Sequence, residues 1–477
     1  MTDLNRFFDF IKGKKIALVG LGISNTPLIS MLLSHGAHVV AHDKKKYSDF
    51  DAAFMAELEK KGVGLKLGNG YLDSFDEDII IKAPGIRCDA PAFVEAVSRG
   101  AYLTSEMELF FKLTNCRKIA ITGSDGKTTT TTLTHLMLTE HYKTSPDVTV
   151  HVGGNIGKPL FAEAESLRDT DIAVLELSSF QLHAMEVSPS GATITNISPN
   201  HLDWHTDYEE YIDSKRRIFE FMKSGRLVLN FTNELSREMA KFAPSGVEVV
   251  YFSSAGLDGI EENYTAVYLE NGEIRVRDAK RGANEKIMDA ADILLPGAHN
   301  IENYMTAIAE LYGEVDNEVF VKIARTFGGV AHRIELVREL DGVKYYNSSI
   351  DSSPSRTIAA LKSFGSKKVI AIMGGYDKNI PYDVLGDHVC KHTRAIVLTG
   401  ATAPKIRDAV VSCERAKTEL PEIYEIADFK EAVIKAKEVA TSGDVVILTP
   451  ASASFDCFKN FEERGNYFKE IVVGFTR

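Results

Sequence analysis

A glycine-rich stretch a quarter of the way along the chain has the residues of a phosphate-binding loop. In "ITGSDGKTTTTTL", Gly123 and Gly126 follow an apolar run, and Lys127 and Thr128 begin a mixed segment. Glycines let backbone N–H groups turn inward around phosphate oxygens, and a following helix adds positive potential. Lys127 then reaches the β- and γ-phosphates of a nucleotide, and the Thr128 hydroxyl coordinates Mg²⁺. The predicted nucleotide contacts are Gly123, Ser124, Asp125, Gly126, Lys127, Thr128 and Thr129.

The loop departs from the general pattern, which has a further glycine five positions before Gly126. Ile121 stands there, so the loop has the shorter form GxxGKT. The alternative is a glycine turn before a surface helix with an incidental lysine. The strand-like run before the loop and the helix-length segment after it favour phosphate binding. Thr130–Thr132 are β-branched and poor helix formers, and chance composition accounts for them.

Residues suited to a metal ion follow two later apolar runs. Glu176 ends the run in "LELSSFQL", "NISPNHLDWH" supplies His201, Asp203 and His205, and Lys215 follows on a predicted helix. Sheets of alternating strands and helices place ligand groups beyond their strand ends, and carboxylate and imidazole groups suit Mg²⁺ or Mn²⁺. Taken singly, each residue has a simpler explanation: Glu176 as a paired buried acid, His201 as a turn residue and Lys215 as a solvated charge on a helix. Their order after the phosphate loop favours the metal site.

Three sections of strand–helix alternation position these residues. We predict an α/β protein with a Rossmann-like domain at 1–105, a central P-loop ATPase-type domain at 106–329 and a C-terminal Rossmann-like domain at 330–477. The strand-like runs "KKIALVG", "CRKIAITG" and "GVKYYNSS" begin near the start of each section. Residues 256–290 are predicted as a β excursion. Gly328 and Gly329 suit a hinge before the last domain.

The composition limits the class of function. The 44% hydrophobic and 26% charged residues are those of a globular protein, and 477 residues predict two or three domains. A net charge of −12 argues against broad binding of nucleic acid or an anionic membrane. The five cysteines form no CxxC pair, and the first residues lack a signal-peptide pattern. We expect a cytoplasmic protein without a membrane partner.

Several motifs together resemble the Mur ligases, and among them the members that add D-glutamate. They occur in order over nearly the whole chain: TGSDGKTT, GGNIG, ELSSFQL, NISPNHLDWH, LPGAHNIEN, AHR and TPASASFDCFKNFEERGNYF. The resemblance implies a three-domain cytoplasmic ligase of peptidoglycan precursor synthesis, and thus a role in cell shape and division, and a monomer is the default expectation. It implies that ATP drives the joining of D-glutamate to UDP-N-acetylmuramoyl-L-alanine. The substrate carboxylate attacks the γ-phosphate, and the amine of D-glutamate then attacks the acyl phosphate.

The resemblance also implies roles for the nucleotide and metal residues. Thr128 and Glu176 would hold one Mg²⁺, and His201 the second together with Lys215, with Lys127 screening charge. An ammonium cannot ligate a cation, but the matching lysine of such ligases is a carbamate made with CO₂. Lys127, Glu176, His201 and Lys215 are thus the expected catalytic residues. Asn300 and Asn303 would contact adenine, and Arg333 the nucleotide phosphates.

The substrate contacts follow from the same resemblance. D-glutamate would meet Lys378, Ser454 and Phe461, a lysine being a sensible partner for a carboxylate. Asn155 in "GGNIG" would contact the growing substrate. The resemblance implies that the first domain binds the UDP end. Gly20 and Gly22 begin a dinucleotide fingerprint there, but Asn25 stands at its third glycine position, and a purely structural turn is the alternative. The residues expected at that end are Ser24, Asn25, Thr26, Asp43 and Gly85.

One segment departs from the family pattern Asn-Asp-Ser-Lys-Ala-Thr. The chain reads "NSSIDSS" from Asn347 to Ser353, which puts Ser348 on the aspartate and Ile350 on the lysine. Asp351 replaces the acid if the register shifts by three residues. The nucleotide contacts and one glutamate-side contact in this segment therefore stay open.

Three other functions compete with this interpretation. A sister ligase, adding another amino acid or making polyglutamyl folate, would carry a similar phosphate loop. An NAD-dependent oxidoreductase rests on Gly20 and Gly22 and leaves the phosphate loop unexplained. A nucleotide-controlled interaction protein would bind ATP without phosphate release that depends on an amino acid.

Overall fold

The apolar run before Gly20, Ile16–Val19, forms the buried part of the first strand of a five-stranded parallel sheet in the computed structural model, which describes residues 3–476. The strands are β1 (Lys15–Val19), β2 (His38–Asp43), β3 (Gly64–Leu67), β4 (Ile79–Lys82) and β5 (Tyr102–Thr104). The helices are α1 (Leu4–Ile11), α2 (Leu28–Ser34), α3 (Ala52–Lys60), α4 (Pro91–Ser98) and α5 (Glu106–Leu113). The strand order β3-β2-β1-β4-β5 reverses direction between β1 and β4. Doubly wound sheets bind ligands at such a point, outside the C-terminal strand ends.

The second sheet has nine strands and carries the phosphate loop. They are β6 (Arg117–Thr122), β7 (Val150–Gly154), β8 (Ile172–Glu176), β9 (Gly191–Ile194), β10 (Gly225–Asn230), β11 (Val247–Ser253), β12 (Thr265–Glu270), β13 (Glu273–Asp278) and β14 (Ala283–Asp289). The helices are α6 (Lys127–His141), α7 (Ser179–Leu182), α8 (Tyr208–Glu220), α9 (Glu234–Glu238), α10 (Ala298–Leu311) and α11 (Asn317–Thr326). The order is β14-β13-β12-β11-β10-β9-β6-β8-β7, and β13 runs antiparallel to both of its neighbours, β12 and β14. The predicted β excursion is confirmed by β12 to β14.

The third sheet has six strands. They are β15 (Glu335–Leu340), β16 (Val343–Asn347), β17 (Val369–Gly374), β18 (Thr393–Thr399), β19 (Glu422–Glu425) and β20 (Val445–Leu448). The helices are α12 (Pro354–Lys362), α13 (Gly386–His392), α14 (Ala403–Ser412), α15 (Ala416–Glu419), α16 (Phe429–Val439) and α17 (Phe461–Val473). The order is β15-β16-β20-β17-β18-β19, and only β15 is antiparallel to its neighbour. Short 3₁₀ helices elsewhere in the chain lie at Tyr47–Asp49, Leu160–Ser166, Met239–Phe242, Ala290–Asp292 and Asp383–Leu385.

The chain folds into two compact units. The first comprises residues up to Ala290 together with Glu302–Ile323 and holds the first two sheets. The second comprises Ala291–Ile301 and the residues from Ala324 onward, and it holds the third sheet. The predicted α/β class is confirmed, whereas the boundaries at 105 and 329 stay predictions. Within residues 3–476, no helix has the length and apolar character needed to cross a bilayer.

Glu310 of α10 is a buried carboxyl whose protonation is linked to folding. Thr193 Oγ1 donates to Glu310 Oε2 at 3.0 Å, and burial raises the pKa of the carboxyl from 4.5 to about 7. The folded state therefore binds an extra proton between these values, and the free energy of unfolding falls as pH rises across them. We expect Glu310→Gln to remove most of that fall, about 3 kcal/mol, in urea unfolding at pH 4.5 and 7.5. Equal pH slopes for wild type and variant would contradict this linkage.

Candidate functional site

The predicted phosphate loop joins β6 to α6 as a tight turn. Gly123 and Gly126 have φ of +149° and +79°, in the region that favours glycine. A Cβ on Gly123 would overlap the Thr195 side chain, and one on Gly126 would lie 2.5 Å from Asn303 Oδ1. The helix begins at Lys127, so its first backbone N–H groups lie at the loop without intrahelical partners. The loop therefore has the backbone of an anion site.

Two loop side chains have different surroundings. Lys127 Nζ donates to Gly123 O and Ser124 O, both at 2.9 Å, which holds the ammonium against the loop. Ser124 Oγ donates to Ser198 O at 2.9 Å and lies 2.8 Å from Tyr211 Oη, while its N–H donates to Asn196 O. Both donors of Ser124 thus have protein partners, which brace the loop. Its contact to the nucleotide stays a prediction.

Glu176 presents a carboxylate oxygen that fits a cation. It pairs with Gly154 across β7 and β8, and Asn155 Nδ2 donates to Glu176 Oε1 at 2.8 Å. The other oxygen, Oε2, is buried and has no hydrogen-bond partner among the described residues. A buried carboxylate oxygen without a partner is costly unless a cation or proton satisfies it. Together with the Thr128 hydroxyl at the start of α6, this donor set fits Mg²⁺.

Lys215 of α8 lies beneath the same loop. It is 1% exposed, and its Nζ donates to Gly123 O at 2.7 Å. Burial, reinforced by the positive charge of Lys127, holds the pKa of the Lys215 amine well below its usual value. This shift makes the neutral amine more accessible than in an exposed lysine, and a neutral amine is the form that reacts with CO₂.

His201 lies on an exposed turn after β9. Its φ is +54°, and Trp204 N and His205 N donate to His201 O at 3.1 and 3.2 Å. Desolvation lowers the pKa of the His201 ring, and the charges of Lys127 and Lys215 lower it further. A neutral imidazole is the form that binds metal. The structure thus brings together the four residues expected to be catalytic: Lys127, Glu176, His201 and Lys215.

Asp203 and His205, the other two candidate metal ligands in "HLDWH", do not join this group. His205 is buried, with Nε2 3.0 Å from Ser179 Oγ and Nδ1 3.2 Å from Glu210 Oε2. Asp203 is exposed. His205 thus packs below the turn because both of its ring nitrogens have protein partners there.

Most of the residues expected at the UDP end lie at the C-terminal ends of the first sheet. Asp43 Oδ2 accepts from Leu21 N at 2.7 Å, and Gly85 is exposed after β4. Ser24 and Thr26 are half-buried beside them. Asn25 is fully buried, and its Nδ2 donates to Val19 O and Ile81 O, so its amide joins the end of β1 to the end of β4. Its contact to the substrate stays a prediction.

The two asparagines expected at adenine both lie in the first two turns of α10. Asn303 lies against the phosphate loop, where Thr130 Oγ1 donates to its Oδ1 at 3.3 Å. Asn300 belongs to the second unit, and its Nδ2 donates to Pro296 O at 2.7 Å. Both side chains are buried. Their adenine contact stays a prediction.

The residues expected at D-glutamate lie at the strand ends of the third sheet. Lys378 is exposed after β17, with Nζ 5.7 Å from the Phe455 ring centroid, and Ser454 is buried after β20. Phe461 is the first residue of α17, and its ring lies 5.9 Å from the His332 ring. Arg333, in the same unit, is exposed beside His332.

One buried side chain that supports this region has no signal in the sequence. Arg464 is 2% exposed, and its guanidinium donates to Ser349 O at 2.9 Å and to Ser452 O at 3.1 Å. It thereby ties the "NSSIDSS" segment to the loop before Ser454. In that segment Thr449 Oγ1 donates to Asp351 Oδ2, and burial raises the pKa of Asp351 to about 6. Asp351 is therefore a buried acceptor that links the "NSSIDSS" segment to Thr449 at the end of β20.

Comparisons with known proteins agree with this geometry. The Mur ligase middle domain matches residues 121–311, and the Mur ligase glutamate ligase domain matches residues 332–452. UDP-N-acetylmuramoylalanine–D-glutamate ligases from Acetivibrio thermocellus and Clostridium novyi are 49% and 46% identical to this chain. The alignments cover 99% and 98% of the chain, and 98% of each relative.

Solved structures show the same fold at low identity. MurF from Acinetobacter baumannii has a TM-score of 0.56 at 14% identity, over 98% of this chain and 93% of that one. UDP-N-acetylmuramate–alanine ligase MurC from Thermotoga maritima has a TM-score of 0.54 at 19% identity, over 96% and 99%. The phosphate loop, the acid and lysine beneath it, and the full-length similarity agree: the chain belongs to the Mur ligase family.

Proposed function

We propose that this protein uses ATP to join D-glutamate to UDP-N-acetylmuramoyl-L-alanine, a step of peptidoglycan precursor synthesis. The observation that carries the proposal is the buried, unpartnered Glu176 Oε2 at a phosphate loop that also covers Lys215. The relatives with 44–49% identity are named for this reaction. The proposal includes action as a monomer and a location in the cytoplasm, where ATP and nucleotide-linked precursors are available.

The reaction joins groups that repel each other. The carboxylate of the muramoyl substrate attacks the γ-phosphorus of ATP, ADP leaves, and an acyl phosphate forms. The amine of D-glutamate then attacks the acyl carbon, loses a proton, and inorganic phosphate leaves. Lys127 lies where it can neutralise phosphoryl charge during the first transfer, and the Gly123–Gly126 backbone orients the phosphates.

Two Mg²⁺ ions are part of the proposal, and the oxygen-rich donors would also accept Mn²⁺. Thr128 and Glu176 would hold one ion, and His201 with a carbamate on Lys215 the other. When bound, the ions screen the phosphate charge. The carbamate is supported by the depressed pKa of Lys215, since a buried neutral amine can add CO₂ and become an anionic oxygen donor.

The D-glutamate end is assigned to Lys378, Ser454 and Phe461. We expect Lys378→Ala to raise the KM for D-glutamate at least about tenfold, because a charge-assisted bond to a carboxylate is lost. The KM for ATP should change less than twofold. Initial rates with each substrate varied in turn provide the measurement, with the exposed Lys391→Ala as control. Equal changes in both KM values would remove Lys378 from the glutamate site.

The substrate assignment is tested by a panel of amino acids. Phosphate release from ATP with UDP-N-acetylmuramoyl-L-alanine should require D-glutamate and be negligible with L-glutamate, L-alanine, L-lysine or diaminopimelate. A different preferred amino acid would identify a sister ligase. Nucleotide binding without phosphate release stimulated by any amino acid would indicate an interaction protein.

A further inference from the structure

Arg87 joins the loop after β4 to the start of α8. Its Nη2 donates to Glu210 Oε1 at 2.9 Å and its Nη1 to Glu210 Oε2 at 3.0 Å, a two-pronged pair. Such pairs fix orientation as well as charge. The guanidinium holds the pKa of Glu210 at about 2, so the pair is ionised throughout the neutral range. Two segments far apart in sequence are therefore held in one geometry.

Trp204 closes a second connection between the same segments. Arg87 Nη1 also donates to Trp204 O at 3.2 Å, and the guanidinium lies 5.1 Å from the Trp204 ring. In return Trp204 Nε1 donates to Gly85 O at 3.0 Å. Gly85 is the residue of the β4 loop expected to meet the UDP-linked substrate. A change at this loop therefore has a direct hydrogen-bonded route to Trp204.

The connection ends at His201. Trp204 N and His205 N donate to His201 O, and Phe180 lies 4.9 Å from the His201 ring and 4.6 Å from Trp204. His201 has a positive φ, which a non-glycine residue keeps only when its surroundings enforce it. The contacts of Trp204 and His205 provide that enforcement.

A metal ion is the competing explanation for this cluster. His183 Nε2 lies 4.0 Å from Glu210 Oε1, and His205 Nδ1 lies 3.2 Å from Glu210 Oε2. The three groups have ligand-like spacing. Both Glu210 oxygens already accept from Arg87, however, and a divalent cation beside this guanidinium would be repelled. The cluster is better explained as the anchor of the arginine.

We propose that Arg87 is a positioning residue, which holds the His201 turn in place through Glu210 and Trp204 and couples it to substrate at the β4 loop. The proposal rests on the metal-binding role of His201 given above. Arg87 itself touches none of the reacting groups. Its loss should therefore act on the Mg²⁺ requirement and on kcat rather than on the affinity for D-glutamate.

The kinetic test uses Arg87→Gln, Glu210→Gln and the double variant. Outer partners of metal ligands are worth about 10-fold to 100-fold, so each single variant should raise the half-saturating Mg²⁺ concentration about tenfold. The KM for D-glutamate should stay within twofold. The double variant should be no worse than the poorer single one, as expected for two residues acting as one pair. Arg99→Gln, which removes an exposed arginine directly after α4, is the matched control and should resemble wild type.

Trp204 is the only tryptophan in the chain, so its fluorescence reports on the turn without any need for turnover. UDP-N-acetylmuramoyl-L-alanine should change the emission of the wild-type protein, and the change should be at least halved in Arg87→Gln. Arg87→Lys keeps the positive charge but cannot form the two-pronged pair with Glu210, so its fluorescence change should be intermediate. It replaces Arg87→Gln in this test if that variant folds poorly.

Three results would overturn the proposal. One is an unchanged Mg²⁺ requirement in folded Arg87 variants, and another is full additivity in the double variant. The third is restoration of Arg87→Gln by Zn²⁺, which would assign the cluster to a cation. Absence of D-glutamate-dependent turnover in the wild type would instead count against the proposed function, and the fluorescence test would still decide the coupling.

Discussion

Lys127→Ala should abolish D-glutamate-dependent phosphate release while leaving the protein folded. The Lys127 ammonium lies 2.9 Å from two loop carbonyls, where the terminal phosphates of a nucleotide would sit. Removal of one preorganised charge-stabilising group costs about 100-fold to 1,000-fold in rate, and phosphoryl transfer to an anion depends on such groups throughout. The measurements are the steady-state rate of phosphate release and the thermal midpoint of unfolding.

Lys158→Ala is the control for the loss of a lysine near the site. Its side chain is 82% exposed, and its ion pair with Glu163 at 3.8 Å contributes little to stability. This variant should keep the wild-type rate and midpoint. If Lys127→Ala released phosphate as fast as Lys158→Ala, the loop would not be the site of ATP turnover.

Lys215→Ala should be inactive, at least about 100-fold below wild type, and short carboxylic acids such as acetate should restore part of the activity. The substitution removes the amine that would carry the carbamate, and leaves space beneath Gly123 for an added carboxylate. The added acid can supply the missing anionic oxygens. Rates measured across a series of carboxylate concentrations and chain lengths test this result.

Lys118→Ala is the control for Lys215→Ala: it shows what the loss of a buried lysine does when that lysine lies away from the phosphate loop. Lys118 is 8% exposed, and its Nζ donates to Thr114 O and Cys116 O, away from the phosphate loop. Its replacement should lower stability without any response to acetate. Full activity of Lys215→Ala without added acid would end the carbamate assignment. A carbamate carbon in the NMR spectrum of wild type with ¹³C-bicarbonate, absent from the variant, would support it directly.

The loop and the acid beside it were predictable from sequence because their signals are local. Gly123 and Gly126 follow an apolar strand and precede a helix, and that order alone fixes the backbone geometry. Glu176 ends a buried strand, so its place at the C-terminal edge of a parallel sheet followed from the topology. The α/β class followed from the same alternation.

The partners of side chains were not predictable, because they come from distant segments. Ser124 reads as part of the loop, but its two donors bond to Asn196 O and Ser198 O. Asn25 reads as part of a nucleotide turn, but its amide joins β1 to β4. In each case a short polar side chain near a strand end bonds to backbone groups from a distant segment, which the local sequence does not reveal.

The third sheet shows the same limit. Arg464 lies in "NFEERG", where nothing in the sequence distinguishes a buried arginine from a solvated one. Its role depends on the carbonyls of Ser349 and Ser452, which lie 115 and 12 residues away in the chain.

Short, half-exposed strands such as β5 and β19 are also hard to predict from sequence. Their burial is too incomplete to leave a clear hydrophobic pattern.

The central claim is that ATP activates the carboxylate of the muramoyl substrate, and oxygen transfer tests it most directly. UDP-N-acetylmuramoyl-L-alanine with ¹⁸O at both oxygens of its alanyl carboxyl group is turned over with ATP and D-glutamate, and the phosphate is analysed by mass spectrometry. The acyl-phosphate route predicts one ¹⁸O atom in each phosphate released and one in the new amide. Phosphate without label, formed at the same rate, would contradict the acyl-phosphate route and with it the chemistry assigned to this site.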